Sequence, residues 1–206
     1  MIHEISERVS RGLCNLQQIE QVSKREEITY GMEMILATVV SVSASLLLSI
    51  LMRCFKYCLM FLCVFMPLRA YAGGYHASTH LKCFITLIID LMIGFLLIHI
   101  SYLFNESILM TILIISDIVI CKLSPVESEN YPLSKRQRKH SKKRSLQILT
   151  IVNFINLYLF SQKQLAECFY ITYALLSVAM SMLITKIIKR KEARSWRRNS
   201  KNIYRY

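Results

Sequence analysis

No polar stretch of this 206-residue chain is long enough to build a hydrophobic core of its own. The longest are residues 1–30, 122–145 and 189–206, so no soluble domain is expected among them. The seven cysteines include no C-x-x-C pair, which argues against a disulfide framework. Cys54, Cys58, Cys63, Cys121 and Cys168 lie in apolar runs, where cysteine usually serves as a small buried hydrophobe. A zinc-protease H-E-x-x-H is missing, because Ala77 stands where its general base would be. There are no repeated halves and no paired Gly- or Pro-broken apolar segments of the kind that mark transporter sites. No G-x-x-x-G pattern argues for helix dimerisation, although apolar helix faces leave a homodimer open. Nothing in the sequence calls for a cofactor.

What is present is apolar and comes in blocks. Residues of the hydrophobic set make up 54% of the chain, and they gather at 32–52, 55–68, 84–104, 107–123, 146–160 and 165–188. A spanning helix needs roughly 20 mostly apolar residues. The expected fold is therefore all-α, a polytopic integral membrane protein of about six apolar segments forming a single membrane domain over 1–206. Segment 55–68 is short, about 21 Å as a helix, and is expected either to tilt into thinned bilayer or to be re-entrant. The first apolar segment starts at residue 32, too far along for a cleaved signal peptide. Over residues 1–30, Ile2, Ile5, Val9, Leu13, Leu16, Ile19 and Val22 recur in steps of three and four, the pattern of an amphipathic interfacial helix.

Basic residues outnumber acidic ones 26 to 13, and the excess is concentrated in two places. One cluster runs from Lys135 to Arg144, in a basic loop at 124–145. The other runs from Lys186 to Arg205, through the tail at 189–206. Both flank apolar helices, where Lys and Arg set topology and meet anionic headgroups of the bilayer, so nucleic acid is not the expected partner. Placing both clusters in the cytoplasm puts the amino and carboxy termini there, together with residues 69–83, in a multi-pass cell-membrane protein. Arg53 and Lys56 then fall on the outer side, against the charge rule.

The densest polar cluster is that 69–83 segment, held between two apolar runs. Gly73 and Gly74 are two of only five glycines; they break the preceding helix, and a new one can start at His76. Backbone N–H groups at such a start suit a developing oxyanion, while a plain turn is the simpler alternative. Lys82, His80, His76 and Arg69 lie near enough in sequence to favour a Cys83 thiolate, the reactive form. On a helix His80 is the better placed partner, three residues before Cys83. His76 is seven before it, about 10.5 Å away along a continuous helix. The same three residues also have the spacing of metal ligands. Asp90, seven residues beyond Cys83, is a candidate orienting carboxylate. Asp90 and Asp117, both within apolar segments, are more readily explained by interhelical hydrogen bonds or ion pairs.

Arg69, Gly73, Gly74, His76 and Cys83 together resemble the R-x-x-x-G-G-x-H-x-x-x-x-x-x-C signature of the accessory gene regulator protein B (AgrB) family. The proline-bearing stretch at 125–133, followed by basic residues, is similar to a loop of that family. The resemblance implies a membrane thiol protease for quorum sensing. Such an enzyme cuts the carboxy-terminal part from a small precursor peptide and promotes thiolactone closure through an acyl-enzyme thioester. It implies Cys83 as nucleophile and His76, not His80, as general base, with Arg69 and Gly74 on supporting positions and no metal. The chain would then have to bend between His76 and Cys83. A non-catalytic membrane subunit and a small peptide transporter are the alternatives from other classes.

Overall fold

The structure, a computed structural model, describes residues 22–73, 80–98, 105–126 and 134–203. Six helices carry nearly all of them: α1 Val22–Leu51, α2 Phe55–Ala72, α3 His80–Ile98, α4 Glu106–Leu123, α5 Lys135–Ser161 and α6 Leu165–Ile203. The all-α expectation holds. The amphipathic pattern before Val22 lies outside the described residues.

Contacts divide the chain into two compact units, one of Met1–Phe55 with Ala77–Leu91 and one of Lys56–His76 with Met92–Tyr206. In the first, α1 carries the apolar stretch Gly31–Leu51, long enough to cross a bilayer. Its serines return their hydroxyls to their own helix: Ser41 Oγ donates to Ala37 O and Ser45 Oγ to Ser41 O, both at 2.7 Å. In hydrocarbon, where no water can satisfy such groups, this back-bonding is what makes serine tolerable in a span. Arg53 adopts the left-handed conformation (φ 55°), and Cys54 N donates to Ser49 O at 2.8 Å to close the helix end.

The second unit is organised around α6. Ile171, Leu175, Val178 and Met182 step by four, three and four along one buried face, which is the periodicity of a packed helix. Aromatic rings join it to α2: Tyr57 stacks on Tyr170 at 4.7 Å, and Phe61 lies 5.8 Å from Tyr173. Tyr170 also donates its hydroxyl to the Gly94 carbonyl of α3 at 3.4 Å. Polar pegs fix the remaining helices. Asn153 Nδ2 of α5 donates to Asp117 Oδ2 of α4 at 2.8 Å, so Asp117 makes the interhelical hydrogen bond expected of it. Asn156 Nδ2 reaches Thr172 Oγ1 of α6 at 3.2 Å. At the start of α2, Lys56 pairs with Glu167 of α6 at 2.6 Å.

Outward faces are apolar. Leu96, Phe154 and Ile151 are 72%, 70% and 60% exposed, an arrangement stable only against lipid or another apolar surface. Gly31–Leu51, Phe55–Ala72 and Leu165–Lys191 are long and apolar enough to cross a membrane, and Cys83–Leu97 is apolar but shorter. Helix α4 carries Glu106, Asp117 and Lys122 within its 18 residues.

Two helices differ in extent from their apolar runs. Helix α2 continues through Pro67 to Ala72 and so reaches spanning length, where the run at 55–68 alone appeared short. Helix α5 begins at Lys135, well before its apolar run at 146, so the first basic cluster is helical. A capping box starts it: Ser134 Oγ accepts from Gln137 N, and Gln137 Oε1 accepts from Ser134 N at 2.9 Å.

Gly94 faces the aromatic stack, and a Cβ built there would lie 2.9 Å from the Tyr173 ring. That ring is held between Phe61 and Phe169. Gly94→Ala should therefore destabilise the detergent-solubilised protein by about 1–3 kcal/mol through overpacking. The measurement is the thermal unfolding midpoint, and an unchanged midpoint would contradict this packing.

Candidate functional site

The carboxy-terminal end of α2 carries the first of the candidate residues. Arg69 lies in its last turn, half-buried, with the guanidinium 5.3 Å from the centre of the Phe65 ring. A cation there also complements the negative end of the helix dipole. Gly73 N donates to Arg69 O at 3.0 Å and closes the turn, and Gly73 itself has a φ of +76°. This is a backbone region that residues with a Cβ rarely adopt. Gly73 thus follows directly on the end of the helix, where the sequence suggested a break, while Gly74 lies outside the described residues.

Gly73 is also held from outside. It forms a parallel bridge with Val126, and Val126 N donates to Ala72 O at 2.9 Å. A Cβ on Gly73 would run into the Val126 carbonyl oxygen. Position 73 therefore requires glycine twice, for its dihedral angle and for the close approach of a second strand of backbone.

Val126 is positioned by the exit from α4. Ser124 and Pro125 are buried, joined by a cis peptide bond. Ser124 Oγ lies 2.6 Å from Ser145 Oγ of α5. The proline-bearing stretch and the R-x-x-x-G-G stretch, distant in sequence, are thus in contact. Around the same junction Pro125, Val126, Leu123 and Lys122 line an open cleft with Arg138 of one basic cluster and Lys186, Lys189 and Arg190 of the other. Both basic clusters and the Arg69–Gly73 turn accordingly lie at one end of this unit, and the Lys56–Glu167 pair joins the starts of α2 and α6.

Cys83 belongs to the other unit. It sits in the first turn of α3 as a free, half-buried thiol. Cys58 and Cys168 are buried, whereas Cys63 and Cys121 are exposed on apolar helices. Exposure alone does not single out Cys83; its polar sequence neighbours do. His80 opens the same helix three residues earlier. Asp90 is half-buried two turns further on, about 10.5 Å along the axis from Cys83. Gly74 and His76 lie outside the described residues, and with them the expected helix start at His76, the bend before Cys83 and the contact between His76 and Cys83. Among the described residues no group of three His, Cys, Asp or Glu side chains could hold a metal; His76, one member of the metal-spaced trio, is not among them.

Sequence reasoning missed Val126, Ser124 and Ser145 as supports of the glycine turn, and Glu167 as the partner of Lys56. Only the capping box carried a local signal, the S-x-x-Q of Ser134 to Gln137.

Residues 5–187 match the model of a protein family described as accessory gene regulator B. A relative from Clostridium perfringens (strain 13, type A), provisionally named AgrB-like protein 2, is 28% identical over 162 residues, 75% of each chain. An AgrB-like protein from strain SM101 of the same species is 27% identical over 164 residues, 76% of each chain. No solved structure matches the chain.

The Gly73 junction can be tested without an activity. Gly73→Ala should lower the thermal midpoint, costing about 1–3 kcal/mol for the strained dihedral and the Val126 clash. Gly31→Ala is the control, since a Cβ there meets nothing within 4 Å. Helix propensity predicts that this change is neutral or slightly stabilising, by up to about 1 kcal/mol. Equal midpoints for the two variants would remove the special role assigned to Gly73.

Proposed function

The chain belongs to the accessory gene regulator B family, whose work is peptide processing in quorum sensing, and we propose that it acts as a membrane cysteine endopeptidase on a small signal-peptide precursor. The observation that carries this reading is the Gly73 turn, in which the Arg69–Gly73 part of the family-like motif is braced by the proline-bearing stretch at Val126. A site that must fix a peptide bond against a nucleophile needs such a rigid backbone element.

In the proposed reaction His76 takes the Cys83 proton, and the thiolate attacks the scissile carbonyl. Backbone N–H groups of the glycine turn receive the oxyanion. The carboxy-terminal part of the precursor leaves as an amine, taking its proton from His76, and an acyl-enzyme thioester remains on Cys83. The thiolate of a cysteine within the precursor then attacks that thioester and releases Cys83, closing a thiolactone. Exclusion of water near the apolar helices favours this exchange over hydrolysis. The precursor is made in the cytoplasm, so the 69–83 segment, both termini and both basic clusters face that side. The meeting of the two clusters around one cleft supports their sharing a side.

Co-expression with an amino-terminally tagged precursor tests the reading. At matched membrane abundance, Cys83→Ala and His76→Ala should lower cleavage on the order of a thousandfold or more, to background, while His80→Ala retains it. Cys83 should also be alkylated faster at neutral pH than Cys63, which has no basic neighbour in sequence. Cleavage that survives Cys83→Ala would transfer the assignment to a non-catalytic subunit, or to a transporter if peptide crosses sealed vesicles without Cys83.

A further inference from the structure

The cleft beside the Gly73 junction has a composition that the peptidase reading does not use. Its volume is about 450 Å³, within the size of small-molecule sites. Among the described residues that line it, five of eight are cationic, namely Lys122, Arg138, Lys186, Lys189 and Arg190, and none is acidic. The other three, Leu123, Pro125 and Val126, give it an apolar side. Lys186, Lys189 and Arg190 fall in the last turns of the candidate span Leu165–Lys191, and Lys122 closes the apolar helix α4. The cleft therefore opens at the depth where a bilayer changes from hydrocarbon to headgroup.

We propose that this cleft binds the headgroup of an anionic phospholipid, with the phosphodiester among Lys122, Lys186 and Arg190 and the glycerol and first acyl carbons against Leu123, Pro125 and Val126. Basic pockets between membrane helices bind anionic headgroups by this chemistry. A free phosphate would use the cations and leave the apolar side idle, whereas an amphiphile uses both. Lys122 of α4 and Lys186 and Arg190 of α6 are brought together by the fold beside the apolar side, an arrangement that an anionic amphiphile matches. Because Val126 lines the cleft and bridges to Gly73, an occupied cleft also braces the glycine turn. The inference does not depend on the peptidase reading, and its test measures binding alone.

The full-length protein, purified in neutral detergent, would be titrated with phosphatidylglycerol and the bound lipid counted by native mass spectrometry. Wild type should retain one phosphatidylglycerol in preference to phosphatidylcholine. The variant Lys122→Gln/Lys186→Gln/Arg190→Gln should bind it about a hundredfold more weakly, at roughly fivefold per basic residue removed. A control with the same charge change outside the cleft, Lys135→Gln/Arg136→Gln/Lys139→Gln, should bind as wild type does. If the triple cleft variant does not fold, Arg190→Gln alone against Lys135→Gln alone reads the same difference. Equal weakening in cleft and control variants would mean attraction by overall charge and would overturn the proposal. Displacement of the lipid by inorganic phosphate would assign the cleft to a free anion, and displacement by an acidic peptide would assign it to a peptide; either result also overturns it.

Discussion

In an apolar solvent a polar group without a partner is costly, and much of the architecture follows from that constraint, the second oxygen of Asp117 and the side-chain oxygens of Asn153 and Asn156 being buried exceptions among the described residues. Serine hydroxyls fold back onto their own helix in α1. Where a side chain is too polar for that, it reaches a neighbouring helix, as Asn153 does to Asp117 and Asn156 to Thr172. These pegs fix the rotation of α4 and α5 against their neighbours, while the apolar faces they leave outward suit lipid. An exposed Phe154 and a bonded Asn153, adjacent on α5, state the same rule from both sides.

Backbone obeys the constraint as strictly as side chains do. A helix that ends within reach of hydrocarbon leaves carbonyls without partners. Helix α2 avoids this by borrowing a donor from elsewhere in the chain, the Val126 N–H, for its Ala72 carbonyl. That solution requires the second strand of backbone to approach so closely that residue 73 can have no Cβ. The family-like glycine therefore has a structural reason independent of any chemistry.

Much of this was readable from the residues. Apolar runs gave the helices, and scarcity of glycine made the 73–74 pair conspicuous, as the left-handed Gly73 bears out. The extent of α2 was less legible, because Pro67 looks like an end yet the helix passes through it. The helical state of the first basic cluster was hidden for a different reason. A run such as 135–144 has no apolar face to reveal a period, and only its cap announced the start. Partners across the chain, Val126 for Gly73 and Glu167 for Lys56, have no local signature, since they depend on how helices meet. The Cys83 and His76 assignment came from the motif, as spacing alone preferred His80.

The charge pattern shows how a tertiary contact changes a sequence argument. Read in one dimension, Lys56 was a misplaced cation opposing the orientation set by the two clusters. In the fold it is half of an ion pair with Glu167 that ties the start of α2 to the start of α6. Its position is accounted for by that pairing. Basic residues gather instead at the other end of the second unit, where Arg138 of α5 and Lys186, Lys189 and Arg190 of α6 line a single cleft. Within this unit the glycine turn lies at the same end as the cleft-lining basic residues.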